Sequence, residues 1–510
     1  MLPLGAGAAL AYCRDAVSVF LGNGIFFVDA DCYARMTRAR MLFEEGFRSL
    51  SHHAFENHPE GIMPNTTAPL DAVIVLLARL LAWFSSDPLP LAGALVSPLL
   101  GLATLLVLAW WGISASRPLR WTMLLAFAFS PALAHAFALG RPDHQSLIIA
   151  LCGVAALSEA ALWTVGGKPA AVAGGLAAGF ALWTSLYEPL VLLGMAVVLR
   201  AVFLRKAMLR GDWPSWWLAA MAVFLWGVAF DGLRIQGFEG DVARCFPLWA
   251  AQIGEMQRQM PSVLFGDCGW LLLPAPLLLI WRAREDRRLL AAAAALIFLG
   301  LLACLQARWT PFLVLGFALC LPAALRAVPS RPVAWALFLI GTWPVATAWD
   351  RMLYPEGEQA LAAVENRKES WLLRDAALRL HGADGAVLAP WWISPAFVYW
   401  SGLPAVAGSS HYSIPGTLDS SRFYLAENES EAQEILARRN VRWVVAYDPP
   451  RILQTAVPLL QKKPAGITMA ERIWSRPSSG PAFLRPVHAN EFFKIYEVSL
   501  PAVPARVPME

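Results

Sequence analysis

The sequence predicts a polytopic α-helical membrane protein with a C-terminal α/β domain. Hydrophobic residues make up 57% of the 510 residues and charged residues only 15%, too few charges to cover the surface of a soluble protein of this size. Apolar segments of membrane-span length recur through residues 1–350. From about residue 350 these segments stop and charged residues return. We therefore expect residues 351–510 to form a separate domain outside the membrane.

The first 87 residues combine a short apolar segment with a long polar loop. Residues 1–12 are apolar, but an Arg-Asp pair interrupts the run. This first helix is therefore shorter than the roughly 20 residues of a full span, or it continues to about position 27. A polar loop follows at 29–87. Within it, residues 70–84 are apolar but few and carry two charges, which predicts a helix lying on the membrane surface.

Ten further apolar segments have the length and hydropathy of membrane spans. They cover residues 89–111, 121–139, 146–163, 170–187, 189–204, 216–230, 270–281, 289–306, 309–325 and 333–349. Together with the first helix they predict about eleven transmembrane helices.

Basic residues cluster in short turns between these segments, at 117–120, 168, 205–210, 282–288 and 326–331. If the chain crosses the membrane at every segment, all five turns lie on one side, which the positive-inside rule identifies as the cytoplasm. The 29–87 loop, Asp143 and the C-terminal domain then lie outside, and we expect a bacterial inner membrane. The small net charge of +4 and its confinement to turns argue against nucleic-acid binding.

Within the C-terminal domain the pattern changes from membrane spans to short alternating elements. Residues 385–390 and 441–446 have the apolar, β-branched composition of strands. Residues 429–439 between them have the periodicity of a helix. These elements predict a small α/β fold.

Two acidic loops are the first candidates for chemistry. Asp29 and Asp31 lie two residues apart, and in an extended segment both carboxylates would face one cation or one polar substrate. A solvated loop is the alternative interpretation of so short a pattern. Asp143 and His144 lie in a second loop on the same side. Two acidic loops on one side of the membrane suit a divalent cation with oxygen ligands, Mg²⁺ or Mn²⁺, which would offset the charge of a phosphate leaving group.

Two ionisable residues at the boundaries of apolar segments are further candidates. Arg308 begins a late span, where its guanidinium could bind a lipid-linked phosphate through two hydrogen bonds. An interfacial anchor is the alternative for this residue. Glu188 lies between two apolar runs, which indicates either a functional residue at membrane depth or a loop residue next to Pro189.

The order of these features resembles the catalytic subunit of oligosaccharyltransferases, within the GT-C class of membrane glycosyltransferases. That family has an aspartate in its first external loop, followed by an aromatic residue and then arginines. Asp31, Tyr33, Arg38 and Arg40 fit that pattern. A second register starts at Asp29 and places Arg35 behind it, and both registers remain open.

Two other family motifs are present in altered form. The family's Gly-x-x-Asp-x-Glu reads GRPDHQ from Gly140, so that Gln145 replaces the second acid with an amide whose oxygen can still ligate. The family's Trp-Trp-Asp-Tyr-Gly is matched by Trp391 and Trp392 followed by Ile393. An isoleucine cannot accept the hydrogen bond that reads the hydroxyl of an Asn-x-Ser/Thr acceptor, so sequon recognition is not expected.

The resemblance implies an inverting, metal-dependent glycosyltransferase that takes its sugar from a polyprenyl-phosphate or polyprenyl-diphosphate donor. Asp29 or Asp31 would act as the general base or orient the acceptor, and either would hold the metal with Asp143 and His144. Arg308 would bind the donor phosphate. Residues Trp391, Trp392 and His411 would shape the site for a protein, lipid or glycan acceptor. The alternatives are a glycolipid or polysaccharide glycosyltransferase without a protein acceptor, and a transporter of lipid-linked sugars.

Overall fold

The computed structural model of the chain describes residues 1–46, 48–114, 119–163, 166–203, 212–234, 238–475 and 480–499. The predicted basic turn at 205–210, half of the turn at 117–120 and the last residues of the C-terminal domain lie outside the described residues.

Helices make up most of the first 353 residues. In chain order they are α1 (Leu2–Tyr12), α2 (Ala16–Val19), α3 (Ala30–Glu45), α4 (Ala68–Leu81), α5 (Pro88–Ser114), α6 (Arg120–Phe129), α7 (Pro131–Ala136), α8 (His144–Leu162), α9 (Lys168–Thr184), α10 (Tyr187–Phe203), α11 (Trp213–Asp231), α12 (Gly240–Ala250), α13 (Pro261–Cys268), α14 (Pro274–Arg282), α15 (Arg288–Leu305), α16 (Thr310–Leu325), α17 (Arg331–Gly341) and α18 (Trp343–Leu353). A short antiparallel hairpin, β1 (Phe20–Leu21) and β2 (Gly24–Ile25), connects α2 to α3.

Several of these helices can cross a membrane. In the part of the chain that the structure describes, six are long and apolar enough, or seven if the bent pair Pro261–Cys268 and Trp270–Arg282 counts as one span. The six are Pro88–Gly112, His144–Leu162, Trp213–Asp231, Arg288–Leu305, Ala307–Leu325 and Arg331–Leu353. The chain is thus a helical membrane protein, and the count of about eleven spans stays a prediction.

The difference between six spans and eleven has a physical cause in the shorter helices. The predicted span at 121–139 is divided into α6 and α7 at Ser130, because Pro131 has no N–H to continue the helix. Helices α9 and α10 have 17 residues each. At 1.5 Å per residue they are about 25 Å long, somewhat less than the roughly 30 Å of the hydrocarbon core.

The segment that carries Asp29 and Asp31 is helical and not extended, which corrects the expectation from the sequence. Asp29 is the N-cap of α3, and its Oδ1 accepts a hydrogen bond from the backbone N–H of Cys32 at 2.9 Å. Aspartate is among the best N-cap residues because it satisfies such a free N–H. Asp29 thus lies at the cap and Asp31 in the first helical turn, so the two carboxylates do not share one face of an extended segment.

Helix α4 occupies the region that the sequence predicts as a surface helix. One face is buried and includes Leu70, Asp71 and Ile74. The opposite face exposes Leu76 and Leu80. Such an exposed apolar face suits contact with lipid, and the placement of α4 on the membrane surface stays a prediction.

The C-terminal part is a small α/β layer. Its elements are α19 (Glu358–Leu378), β3 (Ala386–Leu388), α20 (Ser394–Ser401), α21 (Ile414–Leu425), α22 (Glu429–Arg438), β4 (Val441–Ala446), α23 (Pro449–Leu460), α24 (Met469–Ser475), β5 (Leu484–Ala489) and β6 (Lys494–Val498). The sheet has the order β3-β4-β6-β5, with β3 and β4 parallel and the other pairs antiparallel. The two strands and the helix predicted from the sequence are all present.

The long first loop and the C-terminal part share one hydrophobic core. The ring of Tyr33 on α3 lies 5.3 Å from that of Phe27 and 5.5 Å from that of Tyr399 on α20. Arg40 donates a hydrogen bond from Nη1 to the carbonyl oxygen of Tyr399 at 2.8 Å. This packing holds the start of α3 against the C-terminal layer.

Candidate functional site

A cavity of about 1190 Å³ lies where the first loop, the ends of several membrane helices and the C-terminal part meet. The first turns of α3 contribute Asp31 and Arg35, and the start of α8 contributes His144 and its N-cap Asp143. Arg308 lies at the start of the helix that ends at Leu325. The fold therefore brings these polar candidates from three distant parts of the sequence into one cavity.

The two aspartates of the first motif have separate positions. Asp31 lines the cavity. Asp29 caps α3, its Oδ2 lies 3.7 Å from Nη1 of Arg141, and it is not among the residues that line the cavity. Of the two carboxylates, Asp31 is thus the one that a substrate in the cavity can reach.

Asp31 is crowded by other acids. Water reaches its side chain from the cavity, but the surrounding protein removes much of its hydration. This desolvation and the nearby charge of Asp29 raise the pKa of Asp31 to about 7, with smaller contributions from Asp143 and Glu255, while a hydrogen bond with Ser409 opposes the shift. A carboxylate with such a pKa can accept a proton near neutral pH.

Asp143 is the N-cap of α8 and forms a compact polar cluster with its neighbours. Its Oδ1 accepts from the backbone N–H of Gln145 at 3.3 Å and lies 2.7 Å from Nδ1 of His144. Its Oδ2 lies 3.4 Å from Nη2 of Arg141. Burial favours the neutral acid, but His144, Arg141 and the amide hold the pKa of Asp143 well below its usual range.

The predicted metal ligands are close together, but an arginine stands between two of them. Arg141 directs Nη1 at Asp29 and Nη2 at Asp143. The side chain of Gln145 donates from Nε2 to Glu255 at 2.5 Å. Among the described residues, no three His, Cys, Asp or Glu side chains form a group that could hold a metal ion. The donor set as folded does not fit a divalent cation.

Arg308, which also lines the cavity, is held by two carboxylates. Its Nη2 lies 2.6 Å from Oε1 of Glu188, which is buried, and 3.7 Å from Oε1 of Glu255. Glu188 also accepts a hydrogen bond from Ser185 at 2.9 Å. Glu188 is therefore a partner that orients Arg308, and Glu255 is the more exposed of the two acids, so a bound anion can displace it from the guanidinium.

Arg35 and Arg38 both reach the cavity from α3. They share a single fully buried carboxylate, Asp71 on α4, with Arg35 Nη1 at 2.8 Å and Arg38 Nη2 at 3.0 Å. Two guanidinium groups on one acid leave a net positive charge at the cavity wall. That charge suits an anionic ligand.

Aromatic residues form the wall of the cavity near the C-terminal part. The ring of His411 lies 5.4 Å from that of Phe238 and 5.8 Å from that of Phe246, and Trp249 completes this aromatic wall at 6.3 Å. The ring of Trp391 packs 6.0 Å from that of Trp249. The aromatic wall thus contains His411 and has Trp391 as a supporting contact.

Trp392 and Ile393 point away from the aromatic wall. Trp392 lies 6.3 Å from Tyr447, and Ile393 is buried in the core shared with the first loop. The position at which the related motif has an aspartate is therefore occupied by an apolar side chain in a core.

Two residues of the site had no role in the sequence-based prediction. Arg141 lies inside the GRPDHQ motif, and a charge next to an expected metal ligand was the available signal. Asp71 lies in an apolar stretch, in the first turn of α4. An acid at such a position predicts a basic partner, but the sequence does not identify which residue that is. Its partners Arg35 and Arg38 are more than 30 residues away in sequence.

No protein-family model matches the sequence, and no curated protein matches it. Solved structures do match the fold. The oligosaccharyltransferase of Archaeoglobus fulgidus in complex with Zn and sulfate aligns with a TM-score of 0.73 at 13% identity, covering 96% of this chain and 78% of that one. The oligosaccharyltransferase AglB from the same organism, in complex with an inhibitory peptide and a dolichol-phosphate, aligns with a TM-score of 0.63 at 14% identity. This alignment covers 93% of this chain and 71% of that one.

A structure from a second organism also matches. ArnT from Cupriavidus metallidurans in the apo state aligns with a TM-score of 0.53 at 15% identity, covering 97% of both chains. At these identities the likeness concerns the fold. The chain thus resembles the GT-C oligosaccharyltransferases in architecture.

Proposed function

We propose that this protein is a membrane glycosyltransferase that transfers a sugar from a polyprenyl-phosphate or polyprenyl-diphosphate donor to an acceptor on the extracytoplasmic face of a bacterial inner membrane. One observation carries the proposal. A single cavity, in a fold shared with oligosaccharyltransferases, combines the accessible carboxylate of Asp31, the guanidinium groups of Arg35 and Arg308, and an apolar wall.

The apolar wall and the arginines suit the two halves of a lipid-linked donor. Leu190, Phe224 and Val228 line the cavity from membrane helices and provide contacts for a hydrocarbon chain. Arg308 and Arg35 provide charged donors for the phosphate. The AglB structure with dolichol-phosphate makes such a donor class a natural candidate here.

Asp31 is the residue that we assign to the chemical step. A nucleophilic atom of the acceptor attacks the anomeric carbon, and the carbon–oxygen bond to the phosphate breaks. The proton of the acceptor passes to the carboxylate of Asp31, and the lipid phosphate leaves with its negative charge balanced by the arginines. A single displacement of this kind inverts the anomeric centre.

The acceptor belongs to the side of the cavity formed by the aromatic wall. Rings such as those of Phe246 and Trp249 present flat apolar faces, which suit the C–H face of a sugar or an apolar part of a lipid. The position that would read the hydroxyl of a sequon is occupied by Ile393, whose apolar side chain is buried and cannot accept that hydrogen bond. We propose an acceptor other than an Asn-x-Ser/Thr sequon, and Trp392 is then a packing residue.

A glycolipid or polysaccharide glycosyltransferase with no protein acceptor is the second candidate, and the buried Ile393 favours it. A transporter of lipid-linked sugars is less well supported. Transporters concentrate their polar residues near the midplane of the membrane, whereas Asp31, Asp143 and Arg308 meet where helix ends contact the C-terminal part.

The experiment that tests the function is a comparison of glycoconjugates from the parent strain and a strain that lacks this protein. Mass analysis of glycopeptides, glycolipids and surface glycans would identify the modification that disappears. The wild-type gene should restore it, and a gene with Asp31→Asn should not. Unchanged glycoconjugates in the deletion strain would refute the proposed function.

A further inference from the structure

The GRPDHQ loop holds a permanent cation at the place where the fold suggests a metal. Nη1 of Arg141 is 3.7 Å from Oδ2 of Asp29, and Nη2 is 3.4 Å from Oδ2 of Asp143. One planar guanidinium thus bridges the acids of the two motifs. Its side chain is only 12% exposed, so water screens these contacts weakly.

The loop is built to keep Arg141 in this position. Nη1 donates to Nε2 of His135 at 2.6 Å. Ser97 donates to the carbonyl oxygen of Arg141. The preceding Gly140 has a φ of +74°, and a Cβ there would lie 2.6 Å from Val19. Since only glycine fits this tight turn, the backbone before Arg141 has little freedom to withdraw it.

The remaining oxygens of the same acids are already used. Oδ1 of Asp29 caps α3, and Oδ1 of Asp143 accepts from Gln145 and faces His144. A divalent cation would have to displace these contacts and approach a guanidinium that cannot lose its proton. The repulsion between the two cations would weaken metal binding further.

We infer that Arg141 is the resident cation of this site, and that it replaces a divalent metal by neutralising Asp29 and Asp143 next to Asp31. Arg141 does not line the cavity, and it acts as a positioning residue through these two acids. The inference rests on the proposed transferase function for its role in catalysis. Its claim about metal binding does not depend on that function.

The first test measures Mn²⁺ binding to the purified full chain in lipid nanodiscs by electron paramagnetic resonance. Wild type should bind no stoichiometric Mn²⁺. Arg141→Ala frees the oxygens of two acids and should gain about one Mn²⁺ per protein, and Arg141→Ala with Asp143→Asn should lose it again. Arg244→Ala, which removes an exposed arginine of an i,i+3 pair, is the matched control and should behave as wild type.

The second test follows sugar transfer from lipid-linked donors extracted from the native membrane. Wild type should keep its rate after exhaustive chelation. The transfer rate of Arg141→Ala should be about 100-fold lower than that of wild type, and added Mn²⁺ should restore part of the lost rate. Arg141→Lys should retain more activity than Arg141→Ala because it keeps the charge.

Stoichiometric Mn²⁺ on wild type that Asp143→Asn removes, together with transfer that stops on chelation, would overturn the inference and leave the proposed function intact. If Arg141→Ala does not fold, Mn²⁺ binding to wild type and the effect of chelation on wild-type transfer are sufficient to decide the inference. If wild type transfers no sugar in the presence or absence of metal, the proposed function fails, and the Mn²⁺ titration still decides the inference.

Discussion

At the scale of single residues, the site depends on which acids face the cavity and which support them. Asp31 faces it, whereas Asp29 caps a helix and contacts Arg141. Glu188 is buried against Arg308 and orients it. Carboxylate side chains thus act as a helix cap at Asp29 and as a counter-ion at Glu188. We propose that Asp31 is the reacting group, and the three roles predict different effects of substitution.

Asp31→Asn should reduce the rate of sugar transfer by about 100-fold or more, because the amide cannot accept the proton of the acceptor. Asp29→Asn should retain most of the activity, because asparagine is also a good N-cap. Initial rates in reconstituted vesicles compare the two. Equal losses in both variants would contradict the assignment of Asp31.

Arg308→Lys should weaken binding of a polyprenyl-phosphate by about tenfold, because a lysine ammonium cannot offer two parallel hydrogen bonds. Donor titration of the transfer rate measures this as a higher KM. The control is Arg244→Lys, whose exposed position predicts an unchanged KM. A KM for Arg308→Lys equal to that of wild type would exclude Arg308 as the phosphate ligand.

The burial of His411 predicts that the stability of the folded protein depends on pH. Burial lowers the pKa of His411 to about 4, with Glu56 opposing the shift, whereas in the unfolded chain it is about 6.5. The folded state therefore takes up this proton less readily, and the free energy of unfolding falls as the pH drops from about 6.5 toward 4. When the pH is lowered from about 7 to about 5, the melting temperature of wild type in nanodiscs should fall further than that of His411→Gln. An equal or larger loss in the variant would be inconsistent with this pKa.

At the scale of elements, α3 and α4 are joined by a buried ion network. Asp71 on α4 accepts from Arg35 and Arg38 on α3, and its side chain is fully buried. The pair of helices presents the resulting positive charge to the cavity. The network therefore links the stability of the first loop to the electrostatics of the site.

Asp71→Asn should lower the free energy of unfolding by about 3 kcal/mol or more, because two guanidinium groups would remain buried without their acid. Thermal unfolding in nanodiscs measures the loss. Asp241→Asn removes the acid of an exposed pair and should change stability by less than about 1 kcal/mol. Similar values for the two variants would show that the buried network adds no stability.

At the scale of the whole molecule, the cavity exists because a helical membrane body and an α/β layer share one core. The acids come from the first loop and from the loop before α8, and the aromatic wall combines α12 with the C-terminal part. This arrangement requires that all of these segments lie on one side of the membrane.

Cysteines introduced one at a time test this sidedness. Arg244→Cys lies in α12 near the aromatic wall, and Arg284→Cys lies in the turn between α14 and α15, with both positions exposed. In intact cells from which the outer membrane barrier has been removed, a membrane-impermeant maleimide should label position 244 only. Labelling of position 284 before permeabilisation would contradict the proposed orientation.

Much of the fold was predictable from local sequence. The helical membrane body, the strands at 385–390 and 441–446 and the helix at 429–439 follow from hydropathy and periodicity. Asp31 and Asp143 were also identified as candidates from acidic patterns in two external loops, and Arg308 from its position at the start of a span. These features can be recognised locally because burial in a membrane or in a sheet makes the hydrophobicity of neighbouring residues follow a regular pattern.

The sequence by itself determined the class of this protein, because composition and hydropathy depend on neighbouring residues alone. Only the tertiary structure decided that Asp31 and not Asp29 enters the cavity, because the start of α3 and its cap set the rotation between them. It alone placed Arg141 between Asp29 and Asp143 and Asp71 beneath two arginines. Those contacts join residues far apart in the chain, and charge pairing across such distances leaves no periodic pattern in the sequence.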